Sequence, residues 1–411
     1  MKTISPFRFN HEIQANASKS DAQRCLILAA FSSGPTALHG LDESEDIVSM
    51  QKCLRVLGAE HHGTNPIFIQ PRIQQGEKSV ELQVGESGFA LRTLAFMSLI
   101  DHNDVTILGK GTLLKREQHQ LIEILNQLGL QVESNDGKLP LRVQGTISVS
   151  ELSVDGSAGS QVISGLCLLA PHLPNGLKIS VANLTSKPYL EMTLERMKFM
   201  GIHVQSLGKD SYFIPGKQTY HRHECHIEGD WSGAANLIVG AAISGNIRVS
   251  GLASTSLQAD KRILEFVQAF GAQVKWRDAN LSISAGTERR AFIANIEDCP
   301  DIFPILVILA CAADGTSAIS GIHRLKNKES DRLSVMCELL KSVGVSFEIE
   351  SNTISIHGTG KIEGGTVDTH NDHRIAMAAA IAACISRNEI SLTDENCVSK
   401  SYPTFFRDLG I

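Results

Sequence analysis

"LNQLGLQVES", residues 125–134, is the stretch from which the fold can be read. Its first half closes an amphipathic helix, and Gly129 stands where such a helix ends on a left-handed residue. "LQVES" then alternates apolar and polar side chains, as a half-buried strand does. The same junction recurs as "LRVLGA" (54–59), "MKFMGI" (197–202), "VQAFGA" (267–272), "LKSVGV" (340–345) and "FRDLGI" (406–411). Their glycines, Gly58, Gly129, Gly201, Gly271, Gly344 and Gly410, are spaced by 66 to 73 residues. In "VKWRDANLSIS" and "FEIESNTISIH" a turn and second strand follow, which predicts hairpins.

A second feature keeps the same period. Helices rich in small residues start near Ser18, Ser87, Ser160, Ser232, Asp301 and Asn371, at spacings of 69 to 73. "SGAANLIVGAAI" and "DIFPILVILACAA" are apolar nearly all round, which marks buried helices. Six copies of about 70 residues, each with a buried helix, an amphipathic helix and several strands, predict an α/β chain of two pseudo-threefold domains. Each domain has three units, with helices inside and sheets outside. A six-unit solenoid suits a fully buried helix less well than a closed layered domain does. The domain boundary is expected near "HIEGDWSG" (226–233).

Composition narrows the function. A net charge of −6 argues against a general nucleic-acid binder, so any basic site is a local concentration. The nine cysteines are odd in number and contain no CxxC pair, which points to reduced thiols in a cytoplasmic protein. "MKTISPFRFN" shows no apolar secretory segment, and "IFPILVILACAA" (302–313) is too short to span a bilayer, so no membrane association is expected. No GxxxxGK[ST] loop argues for ATP.

"SKSDAQR" (18–24) places Lys19 and Arg24 in the first two turns of a helix, where the dipole disfavours cations. The offence repeats in register. The second buried helix starts with Gly88 and Arg92, the third with Ser160 and Gln161, the fifth with Asp301, and the sixth with Asp372, His373 and Arg374. Three parallel buried helices present their N-termini on one face, and cations there become favourable once an anion binds between them. Further charge lies in "LLKREQ" (Lys115, Arg116), "KNKESDR" (Lys326, Lys328, Glu329, Asp331, Arg332) and "VSKSYP" (Lys400), while "LTSKPYLEMT" offers Ser186 and Tyr189. In "HRHECH" (221–226), His221, His223 and Cys225 alternate and would share one face of a strand, a zinc-compatible pattern. No distant ligand pair is evident, so an exposed strand leading into the domain crossover is the preferred reading and no metal is expected.

In these motifs the chain resembles the 5-enolpyruvylshikimate-3-phosphate synthase family of enolpyruvyl transferases. "ASKSDAQR", "DGSAGSQ", "TSKPY", "EGDWS", "KESDR", "NDHRIAM" and "VSKSYP" carry the resemblance from about Asn16 onward, all in the family's order. It implies two domains of three βαβαββ units, residues 16–228 and 1–15 plus 229–411, with the active site in the cleft between them. It implies transfer of the enolpyruvyl group of phosphoenolpyruvate to the 5-hydroxyl of shikimate 3-phosphate, with no cofactor, by a monomer. Lys19, Gly88, Arg92, Arg116, Gln161, Arg332, Arg374 and Lys400 would hold phosphoenolpyruvate. Lys19, Ser20, Arg24, Ser160, Gln161, Ser186, Tyr189, Asp301 and Lys328 would hold shikimate 3-phosphate. Asp301 would be the base and Glu329 the proton carrier, with Lys19 and His373 assisting. The alternatives are the sister enzyme acting on UDP-N-acetylglucosamine, whose reactive loop cysteine is missing from "GKGTLLKREQ" (109–118), and an impaired homologue that only binds an anionic ligand.

The chain departs from the family pattern at "ESGF" (86–89), where Glu86 adds a carboxylate and Phe89 replaces a small polar residue. Thr93 stands for a usual proline, Leu114 and Glu117 flank Lys115 and Arg116, Gly159 replaces a serine, and Arg324, Lys326 and Asn327 are unusual. Phe89 and Thr93 lead to the expectation of weak inhibition by the phosphoenolpyruvate competitor glyphosate.

Overall fold

The computed structural model describes residues 1–73 and 78–411. Along it run α1 (Lys19–Ala30), α2 (Glu45–Val56), α3 (Gly88–Met97), α4 (His119–Gln127), α5 (Gln161–Leu169), α6 (Lys187–Phe199), α7 (Trp231–Ser244), α8 (Ile263–Phe270), α9 (Phe303–Ala312), α10 (Arg332–Ser342), α11 (His373–Ala382) and α12 (Phe405–Asp408). Odd and even helices differ in kind. Every residue of α9 and α11 is buried. By contrast α8 buries one stripe, Ile263, Phe266, Val267 and Phe270, at helical spacing. The glycines that follow the even helices all have φ between 76° and 121°, a region that costs a residue with a Cβ but not glycine.

The strands repeat with the helices. Ser79–Gln83 runs parallel to Asp104–Leu108, with α3 as the crossover between them. Lys138–Gln144 adds antiparallel to Asp104–Leu108, and Gln131–Asn135 adds antiparallel to Lys138–Gln144. The pattern recurs around α5 and α9, and around α11 the parallel pair is Gly365–Val367 with Ile390–Leu392.

The chain forms two compact units, Lys19–Ile227, and Met1–Ser18 with Glu228–Ile411. In the first, the strand Glu224–His226 returns to lie parallel to Thr36–His39, so the end of the unit completes the sheet of its beginning. Its helices α3 and α5 approach closely at Gly165, where a Cβ would lie 2.7 Å from the Arg92 carbonyl. In the second, Asn10–Gln14 pairs with Asn246–Ser250 and Lys2–Ile4 with Ile390–Leu392, and α7, α9 and α11 pack on one another. The division falls at 18/19 and 227/228 rather than at 15/16 and 228/229. Ser18 N donates to Glu228 O at 2.8 Å and Ala17 bridges to Gly229, which ties both crossing segments into the second unit. No helix among the described residues is long and apolar enough to cross a membrane.

Several helix starts differ from the sequence expectation. α7 begins before Ser232, because Asp230 caps it by accepting from Gly233 N at 2.8 Å. Asp301 lies in a 3-10 turn, Pro300–Ile302, that precedes α9. Asp372 rather than Asn371 caps α11, following the left-handed residues His370 and Asn371.

Candidate active site

In the unit 19–227 the starts of α1, α3 and α5 carry the expected residues. Lys19 Nζ meets Asp46 Oδ2 at 2.9 Å. Arg24, one turn on, is buried, and its three nitrogens are all engaged. Nε donates to Thr193 Oγ1 at 2.8 Å, Nη2 to Tyr189 O at 2.8 Å and Nη1 to Ser20 O at 2.5 Å. Its guanidinium also lies 4.5 Å from the centre of the Phe89 ring, a cation–π contact. Burial lowers its pKa to about 10, which leaves it charged at neutral pH. Three of its five N–H donors thus tie the start of α1 to Tyr189 and Thr193.

Gly88 is where Arg92, Arg116 and Gln161 converge. A Cβ there would lie 3.0 Å from Arg92 Nη1, 3.6 Å from Arg116 Nη1 and 3.7 Å from Gln161 Oε1. Arg92 Nη1 donates to Gln161 Oε1 at 2.6 Å. Ser87 caps α3, and its Oγ also accepts from Gln23 Nε2 at 2.8 Å, which links the starts of α1 and α3. Ser160 is buried at the start of α5, and Ser186 holds φ at 52° before α6, an uncommon conformation for a residue with a side chain. Glu86 has a structural task. Its Oε2 accepts from Thr112 N at 3.0 Å and Thr112 Oγ1 at 2.7 Å, and Thr112 Oγ1 accepts from Arg116 Nη2 at 3.1 Å. Glu86 therefore props Arg116 through Thr112. Lys115 is exposed.

In the other unit, carboxylates stand at all three buried helix starts, where the dipole favours them: Asp230, Asp301 and Asp372. Arg332, 1% exposed at the start of α10, binds three carboxylates. Nη1 meets Asp301 Oδ1 at 2.7 Å, Nη2 meets Glu329 Oε2 at 2.6 Å and Nε meets Asp372 Oδ2 at 2.9 Å. Lys328 Nζ lies 3.3 Å from Asp301 Oδ1. Arg374 is 5% exposed, and its Nε and Nη1 have no hydrogen-bond partner among the described residues. His373 is buried with Nδ1 3.9 Å from Asp372 Oδ1. Lys400 is buried at the end of a 3-10 turn, Asn396–Lys400, that packs on α11.

Charge proximity sets the titration of this cluster. Desolvation pushes the Asp301 carboxyl up, but Lys328, Arg332 and Arg374 outweigh it and hold it well below the usual carboxylate range. Desolvation pulls Arg374 down, and Asp230, Asp301 and Asp260 more than restore it. Desolvation lowers Lys328 despite Asp301.

Asp46, Thr112 and Asp260 did not stand out in the sequence. Asp260 lies in none of the recurring motifs. In the fold it is fully buried, accepts from Ser232 Oγ and has its pKa raised to about 6 by burial and by Asp301. The "HRHECH" segment does not assemble its alternating face into a ligand set. His221 lies against Gly201, His223 lies against Gly34, and Cys225 Sγ is 3.0 Å from Cys25 Sγ.

The comparisons with known proteins agree with this architecture. The family described as EPSP synthase (3-phosphoshikimate 1-carboxyvinyltransferase) matches residues 5–409. A 3-phosphoshikimate 1-carboxyvinyltransferase of Clostridium perfringens (strain SM101 / Type A) is 32% identical over 409 residues, covering 98% of this chain and 96% of its own. One from Clostridium botulinum (strain Alaska E43 / Type E3) is 34% identical over 415 residues, covering 98% and 95%. Among solved structures, EPSP synthase from Acinetobacter baumannii superposes with a TM-score of 0.82 at 24% identity over 99% of this chain and 97% of that one. The enolpyruvyl transferase NikO from Streptomyces tendae follows with 0.77 at 14% identity, over 99% and 96%. At these identities the two structures speak for the fold alone. With the family match spanning nearly the whole chain and full-length relatives above 30% identity, the chain belongs to the EPSP synthase (3-phosphoshikimate 1-carboxyvinyltransferase) family.

Proposed function

We propose that this chain transfers the enolpyruvyl group of phosphoenolpyruvate to the 5-hydroxyl of shikimate 3-phosphate and releases phosphate. Arg374 is the observation that carries the reading. A buried guanidinium with two donors unpartnered among the described residues is costly, and a phosphate or carboxylate oxygen would satisfy it. The convergence of Arg92, Arg116 and Gln161 on a residue without a side chain supports a second anion contact at Gly88. Family membership supplies the identity of the two anions.

On this reading Lys19, Gly88, Arg92, Arg116, Gln161, Arg332, Arg374 and Lys400 hold phosphoenolpyruvate. Lys19, Ser20, Arg24, Ser160, Gln161, Ser186, Tyr189, Asp301 and Lys328 hold shikimate 3-phosphate, and Arg24 also braces Tyr189. Glu329 gives a proton to the methylene carbon, which makes carbon 2 electrophilic. The 5-hydroxyl attacks carbon 2, and its proton passes to Asp301. In the second half Glu329 takes a proton back from the new methyl group, the bond from carbon 2 to the phosphate oxygen breaks, and the departing phosphate, held by the cations, carries away the proton left on Asp301. Lys19 and His373 assist these proton transfers. Asp301 is a weak base while Lys328, Arg332 and Arg374 face it. Substrate anions that engage those cations release part of their hold, so base strength rises with binding.

The test is phosphate release from phosphoenolpyruvate with and without shikimate 3-phosphate. Release that needs shikimate 3-phosphate and disappears in Asp301→Ala and Glu329→Gln supports the reading. Absence of release with shikimate 3-phosphate still bound replaces it with a protein that only binds the anionic ligand.

A further inference from the structure

We propose that His39, Glu224 and His226 form a surface site for a divalent transition-metal ion, with Zn²⁺ as the best match. Strand register brings the three together. Glu224–His226 runs parallel to Thr36–His39, and His226 pairs directly with His39. Side chains alternate along a strand, so Glu224 shares the outer face with the two histidines while Cys225 turns into the core. Glu224 Oε1 lies 3.1 Å from His39 Nε2 and 3.5 Å from His226 Nε2. One ligand atom from each residue falls within 4.8 Å of the others.

These separations suit a metal. Nitrogen and oxygen ligands about 2.0–2.1 Å from a tetrahedral zinc are about 3.3–3.4 Å apart from one another. The imidazole rings are stacked, with centroids 4.4 Å apart and planes 14° from parallel, so both must tilt to aim at one ion. The side chains are 31%, 65% and 73% exposed for His39, Glu224 and His226, which leaves room for that tilt and a fourth position for water. Two imidazoles and one carboxylate favour a borderline ion such as Zn²⁺ over Ca²⁺ or Mg²⁺, which take oxygen ligands. Glu224–His226 is a three-residue strand at the edge of its sheet and the last before the unit ends at Ile227. An ion held by both strands would pin that edge and raise the stability of the folded state.

Calorimetric titration of the metal-stripped full chain with ZnCl₂ tests the site, alongside thermal unfolding with and without the ion. One equivalent is expected, at least tenfold weaker in each of His39→Ala, His226→Ala and Glu224→Gln, and unchanged in His221→Ala and His223→Ala. Zn²⁺ should raise the melting temperature of the parent and not that of the His39→Ala/His226→Ala double variant, whose metal-free melting temperature checks that it still folds. The Co²⁺ derivative should show a tetrahedral nitrogen–oxygen spectrum without a thiolate charge-transfer band. No binding, equal binding by the double variant, or a thiolate band would each overturn the proposal.

Discussion

Arg332 Nε donates to Asp372 Oδ2 at 2.9 Å, while Asp372 Oδ1 accepts the backbone N–H of Arg374, also at 2.9 Å. One fully buried carboxylate thus caps α11, holds Arg332 together with Asp301 and Glu329, and sets the first turn from which Arg374 projects. Asp372→Ala removes all three functions and leaves Arg332 short of a partner. Arg332 keeps Asp301 and Glu329, so we expect a loss of about 2 kcal/mol in urea unfolding, from the lost cap and one lost charge-assisted hydrogen bond. Asp372→Asn keeps a good cap but not the charge, so it should retain more stability than the alanine variant. Retention of parental stability by Asp372→Ala would contradict this account.

Asp260 predicts a pH dependence of stability. Its carboxyl titrates near 6 in the folded chain, above the ordinary unfolded value of about 3.9. A raised pKa means that the folded state binds the proton more tightly. The resulting stabilisation is complete below about 4 and is lost as pH rises through 6. Asp260→Asn should therefore gain stability relative to the parent between about pH 4 and pH 7, by on the order of 2 kcal/mol. A pH-independent difference between the two proteins would show that Asp260 is not the titrating group.

Gly88→Ala tests the anion contact without threatening the fold, since alanine is favourable in a helix. Its Cβ would meet the end of the Arg92 side chain at 3.0 Å and must displace it. We expect the KM for phosphoenolpyruvate to rise by about tenfold, the worth of one charge-assisted hydrogen bond, with little change in melting temperature. An unchanged KM would remove Gly88 from the phosphoenolpyruvate site.

Arg24→Lys separates a strut from a substrate ligand. Lysine keeps the charge but cannot span Thr193 Oγ1, Tyr189 O and Ser20 O together. The unfolding midpoint should fall, with a cost of about 2–4 kcal/mol for unmet buried partners. A variant as stable as the parent but weaker in shikimate 3-phosphate binding would make Arg24 a direct ligand.

Phe89 and Thr93 bear on inhibition. Phe89 lies under the Arg24 guanidinium one residue from Gly88, and Thr93 Oγ1 donates to Phe89 O at 2.7 Å. We expect glyphosate to compete poorly with phosphoenolpyruvate, with an inhibition constant at least about tenfold above that of sensitive family members, a difference of about 1.4 kcal/mol. Equal sensitivity would show that these two replacements leave the inhibitor's contacts intact.

Much of the fold was legible because its signals are local and repeated. Six glycines about 70 residues apart, and helices such as α7 and α9 that are apolar nearly all round, report backbone conformation and burial one residue at a time. Lys19, Arg24 and Arg374 stood out as candidates because cations at helix starts conflict with the dipole. Asp46, Thr112 and Asp260 were not, since an acid or threonine in a helix start or loop looks the same whether it faces solvent or a buried partner. Glu86 shows the point from the other side. The sequence placed a carboxylate two residues from Gly88, and only the contact with Thr112 shows that it supports Arg116.

By itself, then, the sequence determined the period, the kinds of element and the candidate cations, because each depends on nearest neighbours along the chain. Tertiary structure decided the partners. Which acceptors Arg24 reaches, whether Asp301 is a strong or a weak base, and which strand lies beside "HRHECH" all depend on residues far away in the chain. Hydrogen bonds and charge interactions act through space over a few ångströms, and only the folded chain brings those groups within reach.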